Sequence, residues 1–148
     1  MIGTDLSVAK QLLDSGKLVA IPTETVYGLA ANALDPEAVL SIYKAKNRPS
    51  FDPLIVHVSS VDWVKKLTTE IPEPAQLLMD KFWPGPLTFI LPKSELVPDI
   101  VTSGLPYVGV RMPRHPMTQA LLSEIDFPLA APSANPFSYV SPTTAQHV

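Results

Sequence analysis

Short apolar runs alternate with longer segments of helical character from one end of the chain to the other. Residues 17–21 form an apolar run that stops at Pro22, and a second run covers 26–33 after a polar Thr-Glu-Thr corner; each predicts a strand. Residues 54–58, 87–91, 107–112 and 129–131 read the same way, the last as a very short strand. Helices are predicted between these runs. Thr4 or Asp5 caps a first one that runs to about Ser15, with Gly16 as its stop. Asp35-Pro36 opens a second, with proline in its first turn, and Pro49 ends it. Others are expected over 61–67, 74–82 and 115–124, and Thr143 caps a last helix cut by the end of the chain. Helices and strands that mix along the whole length, with no repeat and no linker, predict one α/β (α+β) domain over 1–148. Its sheet is expected to be mixed and twisted.

Composition narrows the classes. With 148 residues, 46% hydrophobic, 17% charged and a mean hydropathy of +0.18, the chain can bury a real core. No apolar run reaches the roughly 18 residues that span a bilayer, so no membrane role is expected. The first residues carry no basic segment followed by an apolar stretch, which argues for the cytoplasm. Zero cysteines exclude disulfides, thiolate zinc sites and a cysteine nucleophile. The net charge of −3 does not advertise nucleic-acid binding over the whole surface. Yet five of the eleven basic residues fall in two groups, Lys44/Lys46/Arg48 and Arg111/Arg114, which suits a small anionic ligand. The 17 prolines gather at 84–86, 113–116 and 132–136, as stiff loops between elements. Neither Gly-x-Gly-x-x-Gly nor a Walker loop is present.

Four places could carry chemistry. On the helix from Pro36, Val39, Ile42 and Tyr43 make an apolar stripe that Lys46 continues at i+7, so Lys46 points inward. Arg48 follows just past the helix end. Cations there also serve the helix dipole, but an inward lysine beside an arginine and a stiff segment points to an anion site. His57 lies on the strand face opposite Leu54, Val56 and Val58. A core imidazole is the plain reading; no second histidine or carboxylate stands at ligand spacing, so no metal is expected there. Tyr107, Gly109 and Arg111 share a strand face, and the glycine leaves space beside the guanidinium. Finally, Pro132-Ser-Ala-Asn-Pro136 follows a strand end, where open α/β sheets bind ligands. It also has the composition of an ordinary turn. No Gly-x-Ser-x-Gly elbow surrounds Ser133, so it is not read as an acyl-transfer nucleophile.

Together these segments resemble the YrdC-like threonylcarbamoyl-AMP synthase family. The matching text is Ile-Pro-Thr-Glu-Thr-Val-Tyr-Gly-Leu-Ala (21–30), Lys-Ala-Lys-Asn-Arg-Pro (44–49), Pro-Leu-Ile-Val-His-Val (53–58) and Phe-Trp-Pro-Gly-Pro-Leu-Thr (82–88). It continues with Val-Gly-Val-Arg-Met-Pro (108–113), Ser-Ala-Asn (133–135) and Ser-Pro-Thr-Thr-Ala (141–145), in the family's order and over nearly the whole chain. The resemblance implies a YrdC-like twisted mixed sheet flanked by helices around a basic cleft. It also implies an L-threonylcarbamoyladenylate synthase, a nucleotidyltransferase. Threonine's amine captures bicarbonate or CO2 as a carbamate, which attacks the α-phosphate of ATP and expels pyrophosphate. The threonylcarbamoyl-AMP passes to a partner transferase complex that modifies tRNA. By resemblance, Thr25, His57 and Arg111 hold threonine, Arg111 through its carboxylate. Arg48, Ser133 and Ser141 contact ATP or the adenylate. Lys46 and Asn135 belong to the family's Lys-x-Arg and Ser-x-Asn signatures, and Lys46 meets phosphate or carbamate, so Lys46 and Arg48 are the expected catalytic pair. Mg2+ accompanies the triphosphate through its own oxygens and waters.

The chain also departs from the family. Asparagine is frequent where Asp52 stands, threonine where Tyr107 and Ala131 stand, and glycine near Ser138. Family members continue beyond the position of Val148 with an arginine and further nucleotide contacts. The expectation is therefore a chain lacking the C-terminal part of the domain, which binds threonine but turns over slowly or not at all. Two other readings compete. One is a non-catalytic module that binds tRNA or double-stranded RNA in the same cleft, which the net charge argues against. The other is a paralogue of the same fold that handles a different carbamoyl adenylate.

Overall fold

Two helix starts follow directly from capping chemistry. In the computed structural model, which describes residues 2–47 and 52–148, Asp5 accepts hydrogen bonds from the Ser7 and Val8 backbone N–H groups. It opens α1 (Leu6–Asp14), which ends before Gly16 in the left-handed region at φ 73°. Asp35 does the same for α2 (Pro36–Lys46) through Glu37 and Ala38. At its end Asn47 takes a left-handed C-cap conformation, φ 49°, immediately after Lys46, and Pro49, expected to end the helix, lies outside the described residues. The remaining helices are α3 (Val61–Leu67), α4 (Glu73–Phe82), α5 (Asp99–Thr102) and α6 (Pro116–Glu124). The strands are β1 (Val19–Ile21), β2 (Gly28–Asn32), β3 (Ile55–His57), β4 (Phe89–Pro92), β5 (Tyr107–Arg111) and β6 (Leu129–Ala130). α5 was not expected, because four residues show no period. The expected C-terminal helix is instead one 3-10 turn, Ala145–His147, preceded by Thr144 rather than Thr143.

The six strands form one sheet in the order β1-β2-β6-β3-β5-β4. Only the β3–β5 pair is parallel; all other neighbours run antiparallel, which gives the mixed sheet expected. One face is covered along its length. Val56, Val108, Val110, Phe89, Leu91 and Ala130 pack there against Val39, Ile42 and Tyr43 of α2 and against Val64, Leu67, Met79 and Val101. Each fully buried aliphatic side chain contributes about 1.5–3 kcal/mol, an upper estimate that ignores residual burial in the unfolded chain. The opposite face is covered only in part. Leu13 of α1 and Leu121 and Leu122 of α6 seal Ile21, Ala30 and Leu129 on the β1-β2-β6 side. Among the described residues no such layer lies over β3, β5 and β4, where Ile55, Tyr107 and Ile90 are exposed. The cleft opens where the second helical layer stops. Among the described residues, no helix is long and apolar enough to cross a membrane.

Candidate active site

Antiparallel and parallel pairing place Leu129, His57 and Arg111 side by side, since Leu129 pairs with His57 and His57 with Arg111. Directly paired residues project to the same face. His57 and Arg111 thus continue the row of Leu129 out from under the helices. Both line a cavity of about 320 Å³ together with Thr23, Thr25, Gly28, Ile55, Ala131 and Ser133. The pairing realises the faces expected for His57 and Arg111. Gly109 leaves the wall beside them low: a Cβ there would only touch Ile55 and Thr88 at 3.6 Å.

Arg111 is 9% exposed and must find partners for its donors. Its Nη2 meets Glu24 Oε1 at 2.9 Å and donates to Thr25 Oγ1 at 3.2 Å. The second Glu24 oxygen accepts the Arg114 backbone N–H at 2.9 Å. Arg111 Nε, however, is buried with no partner. Burial alone would raise the Glu24 pKa, but the hydrogen bond and charge of Arg111, with backbone N–H donors, hold it below the usual carboxylate range. Thr23 fixes the corner by donating to the Val26 carbonyl at 2.7 Å and sharing a 2.9 Å hydrogen bond with Thr25. Glu24 was not among the expected site residues. Its signal was a lone carboxylate between two threonines at a strand end, facing no cation nearby in the sequence.

His57 is 3% exposed, and its Nδ1 is buried without a partner. Burial, then the neighbouring guanidinium, pushes its pKa down to about 4, so the ring is neutral at physiological pH. A cation and a neutral imidazole, each with one unmet nitrogen, thus line one small cavity with a threonine. That combination suits a small ligand carrying a carboxylate and a hydroxyl or amine.

The loop after β6 supplies the opposite wall. Ser133 bridges to Gly28, while the Tyr27 backbone accepts from Ala134 and donates to the Pro142 carbonyl, each at 2.8 Å. Ser133 and Ser141 are therefore drawn to the same short stretch of chain. Lys46 is inward, as its stripe position predicted, and only 2% exposed. Its Nζ donates to the carbonyls of Ser133 and Asn135 from beneath the loop. Lys46 thus lies under the loop that bears Ser133 and positions it. Asn135 is likewise committed, its Nδ2 donating to the Pro136 and Tyr139 carbonyls at 2.8 Å. Arg48 lies outside the described residues. Among those residues, no three His, Cys, Asp or Glu side chains come together to hold a metal ion.

The sequence and the fold both have known relatives. The Sua5/YciO/YrdC family model, described as "Telomere recombination", matches residues 11–148. The threonylcarbamoyl-AMP synthase of Pyrococcus abyssi is 52% identical over 143 residues, 97% of this chain. That of Bacillus subtilis is 51% identical over 144 residues, again 97% of the chain. The crystal structure of P. abyssi Sua5 complexed with L-threonine superposes with a TM-score of 0.95 at 51% identity, over 99% of this chain and 44% of that one. The chain spans about 42% of the length of the two synthases. The match along almost all of its sequence and its fold shows that the chain belongs to the Sua5/YciO/YrdC family.

Proposed function

We propose that this chain forms threonylcarbamoyl-AMP and pyrophosphate from L-threonine, bicarbonate or CO2, and ATP, acting as an L-threonylcarbamoyladenylate synthase. The observation that carries the reading is that Arg111 and His57, each with a buried nitrogen that lacks a partner, line one cavity with Thr25. The related P. abyssi structure with L-threonine bound supports the same ligand.

The steps follow from what the residues offer. The threonine carboxylate docks on Arg111, where Glu24 holds the guanidinium in place. Its hydroxyl and amine lie toward Thr25 and the neutral imidazole of His57. The amine adds to CO2, losing a proton, and the resulting carbamate oxygen attacks the α-phosphorus as the pyrophosphate oxygen departs. This chemistry asks for alignment and charge compensation more than for covalent help. Arg48, Ser133 and Ser141 are assigned to the nucleotide, with Lys46 and Asn135 fixing the loop that carries Ser133. Mg2+ supplies charge neutralisation on the triphosphate when bound, carried by the phosphate oxygens and water. The product would serve a downstream transferase that modifies tRNA in the cytoplasm.

Mass spectrometry of products from ATP, bicarbonate and a panel of amino acids tests the reading. A mass matching threonylcarbamoyl-AMP, with pyrophosphate, should appear with threonine and not with alanine. A product formed equally from other amino acids would assign the cleft to a different carbamoyl adenylate.

A further inference from the structure

The loop that leaves the cavity at Ser133 ends in an apolar tip: Tyr139 is 73% exposed, Val140 92%, and Phe137 borders them. Such a tip would be expected to be slack, yet this one is fastened throughout. Lys46 Nζ holds the Ser133 and Asn135 carbonyls, and the Lys46 carbonyl accepts the Phe137 N–H at 2.9 Å. The Asn135 side chain clamps the Pro136 and Tyr139 carbonyls, and the Tyr139 N–H donates back to Pro136 at 3.0 Å. Ser138 is kept at φ 68°, a left-handed conformation that a residue with a Cβ adopts at a cost. Strain that the surroundings enforce tends to collect at ligand clamps. Here it holds Tyr139 out from the surface on a rigid support.

We propose that Tyr139, with Val140 beside it, is a stacking shelf for the purine base of ATP. The inference rests on the ATP-dependent reading of the same cleft and adds a subsite to it. The cavity, about 320 Å³, is at the low end of the ~300–1,000 Å³ range of small-molecule sites. Filled by an amino acid and the reacting phosphate, it leaves the base outside, one ribose away. Ser133 lines the cavity, and from it the chain continues into the fastened loop of Asn135 and Tyr139, both ends of which are tied to Tyr27 beside the cavity through Ala134 and Pro142. An aromatic ring offers any purine a π-face, and a prefixed loop loses little entropy on binding. Another exposed aromatic, Tyr107, stands four residues before Arg111 at the far end of β5, opposite Pro92 of the edge strand. It shares neither the fastening nor the strained neighbour.

Titration calorimetry with ATP and with inorganic tripolyphosphate, which lacks the base, separates the possibilities. Tyr139→Ala should weaken ATP binding on the order of ten-fold or more, leave tripolyphosphate binding unchanged, and be rescued by Tyr139→Phe. Because the ring is exposed, the variant should melt like the parent. Equal loss for both ligands would overturn the shelf, since it would report loop collapse. Loss in Tyr107→Ala but not in Tyr139→Ala would overturn it too, placing the base on the open sheet. A parent that binds tripolyphosphate as tightly as ATP has no base subsite, and one that binds neither removes the ATP reading itself.

Discussion

On β1, β2 and β6, the face turned toward α1 and α6 carries Val19, Ile21, Ala30 and Leu129, all apolar and packed under Leu13, Leu121 and Leu122. On β3 and β5, the continuation of that face carries His57 and Arg111, each with a buried nitrogen that lacks a partner. The two halves share one sheet and one row of paired residues, with Leu129 adjoining His57. What separates them is the second helical layer. Where it is present, burial on the sheet side is apolar, and the buried Thr118 hydroxyl of α6 is satisfied by the Pro22 carbonyl. Where it stops, the burial left by the surrounding corners and loops falls on polar groups whose demands the protein does not meet. Unmet buried polar groups cost about 1–3 kcal/mol each, and the two on His57 and Arg111 belong to residues that line the cavity, the half in which a ligand completes the structure.

The largest way to sharpen this contrast is Leu122→Ala in the sealed half. Leu122 is fully buried, and removing its branched end leaves a cavity under α6. Stability should fall by about 2–5 kcal/mol in urea unfolding. Threonine affinity of the folded protein should stay within about two-fold of the parent, since the site lies beyond the layer. A large affinity loss with little change in stability would break the division between the halves.

Arg111→Lys probes the open half. Lysine keeps a positive charge for Glu24 but loses the planar fork, so the fold should survive and threonine binding should not. Losing the charge-assisted pairing costs about 1.5–3 kcal/mol, or roughly ten- to 150-fold in Kd by calorimetry. Threonine binding equal to the parent's would mean that the carboxylate is not held by the guanidinium.

His57 connects the two halves through pH. Its pKa is about 4 in the folded protein against an ordinary 6.5, so between those values the unfolded chain binds more protons than the native one. Stability is then full above about pH 6.5 and falls as pH drops toward 4. The loss from pH 7 to pH 5 should be about 2 kcal/mol. Glu24, with its pKa below the ordinary value, acts in the same direction only at lower pH, where its carboxylate takes up a proton. Urea unfolding of the parent and of His57→Gln at both pH values checks this: the variant should lose most of the slope.

How much of this could be read in advance divides along the same line. The caps at Asp5 and Asp35, the inward Lys46 and the common face of Tyr107, Gly109 and Arg111 are local properties, fixed by periods of 3.6 and 2. The partners were not legible. Arg111 reaches Thr25 across 86 positions, and Lys46 reaches Ser133 across 87. No pattern within one element announces such a meeting. Hence Glu24 was missed, and so were the two carbonyls that Lys46 holds. The extent of α1 and α6 over the sheet, which creates the cleft, is likewise a property of packing and not of either helix.

Ser138→Gly carries the smallest expected effect and touches the loop opposite the sealed half. Ser138 sits at φ 68°, where a Cβ crowds the following carbonyl and glycine does not. Glycine also frees the unfolded chain, which offsets part of the gain. The net should be a stabilisation of about 0.5–1 kcal/mol, a rise in Tm of roughly 1–4 °C for a chain of this size. The sign is informative because the position is exposed and removes no packing. Should the variant melt lower than the parent, the left-handed turn would not be a source of strain, and the loop would be held up by the Asn135 and Lys46 contacts alone. Should it melt higher yet bind ATP more weakly, a stiff side chain at 138 helps keep Tyr139 in place, and the strain is retained for binding. Differential scanning calorimetry with and without ATP separates the two outcomes. The cost at Ser138 would then be the counterpart, on the loop side, of the unmet polar atoms at His57 and Arg111.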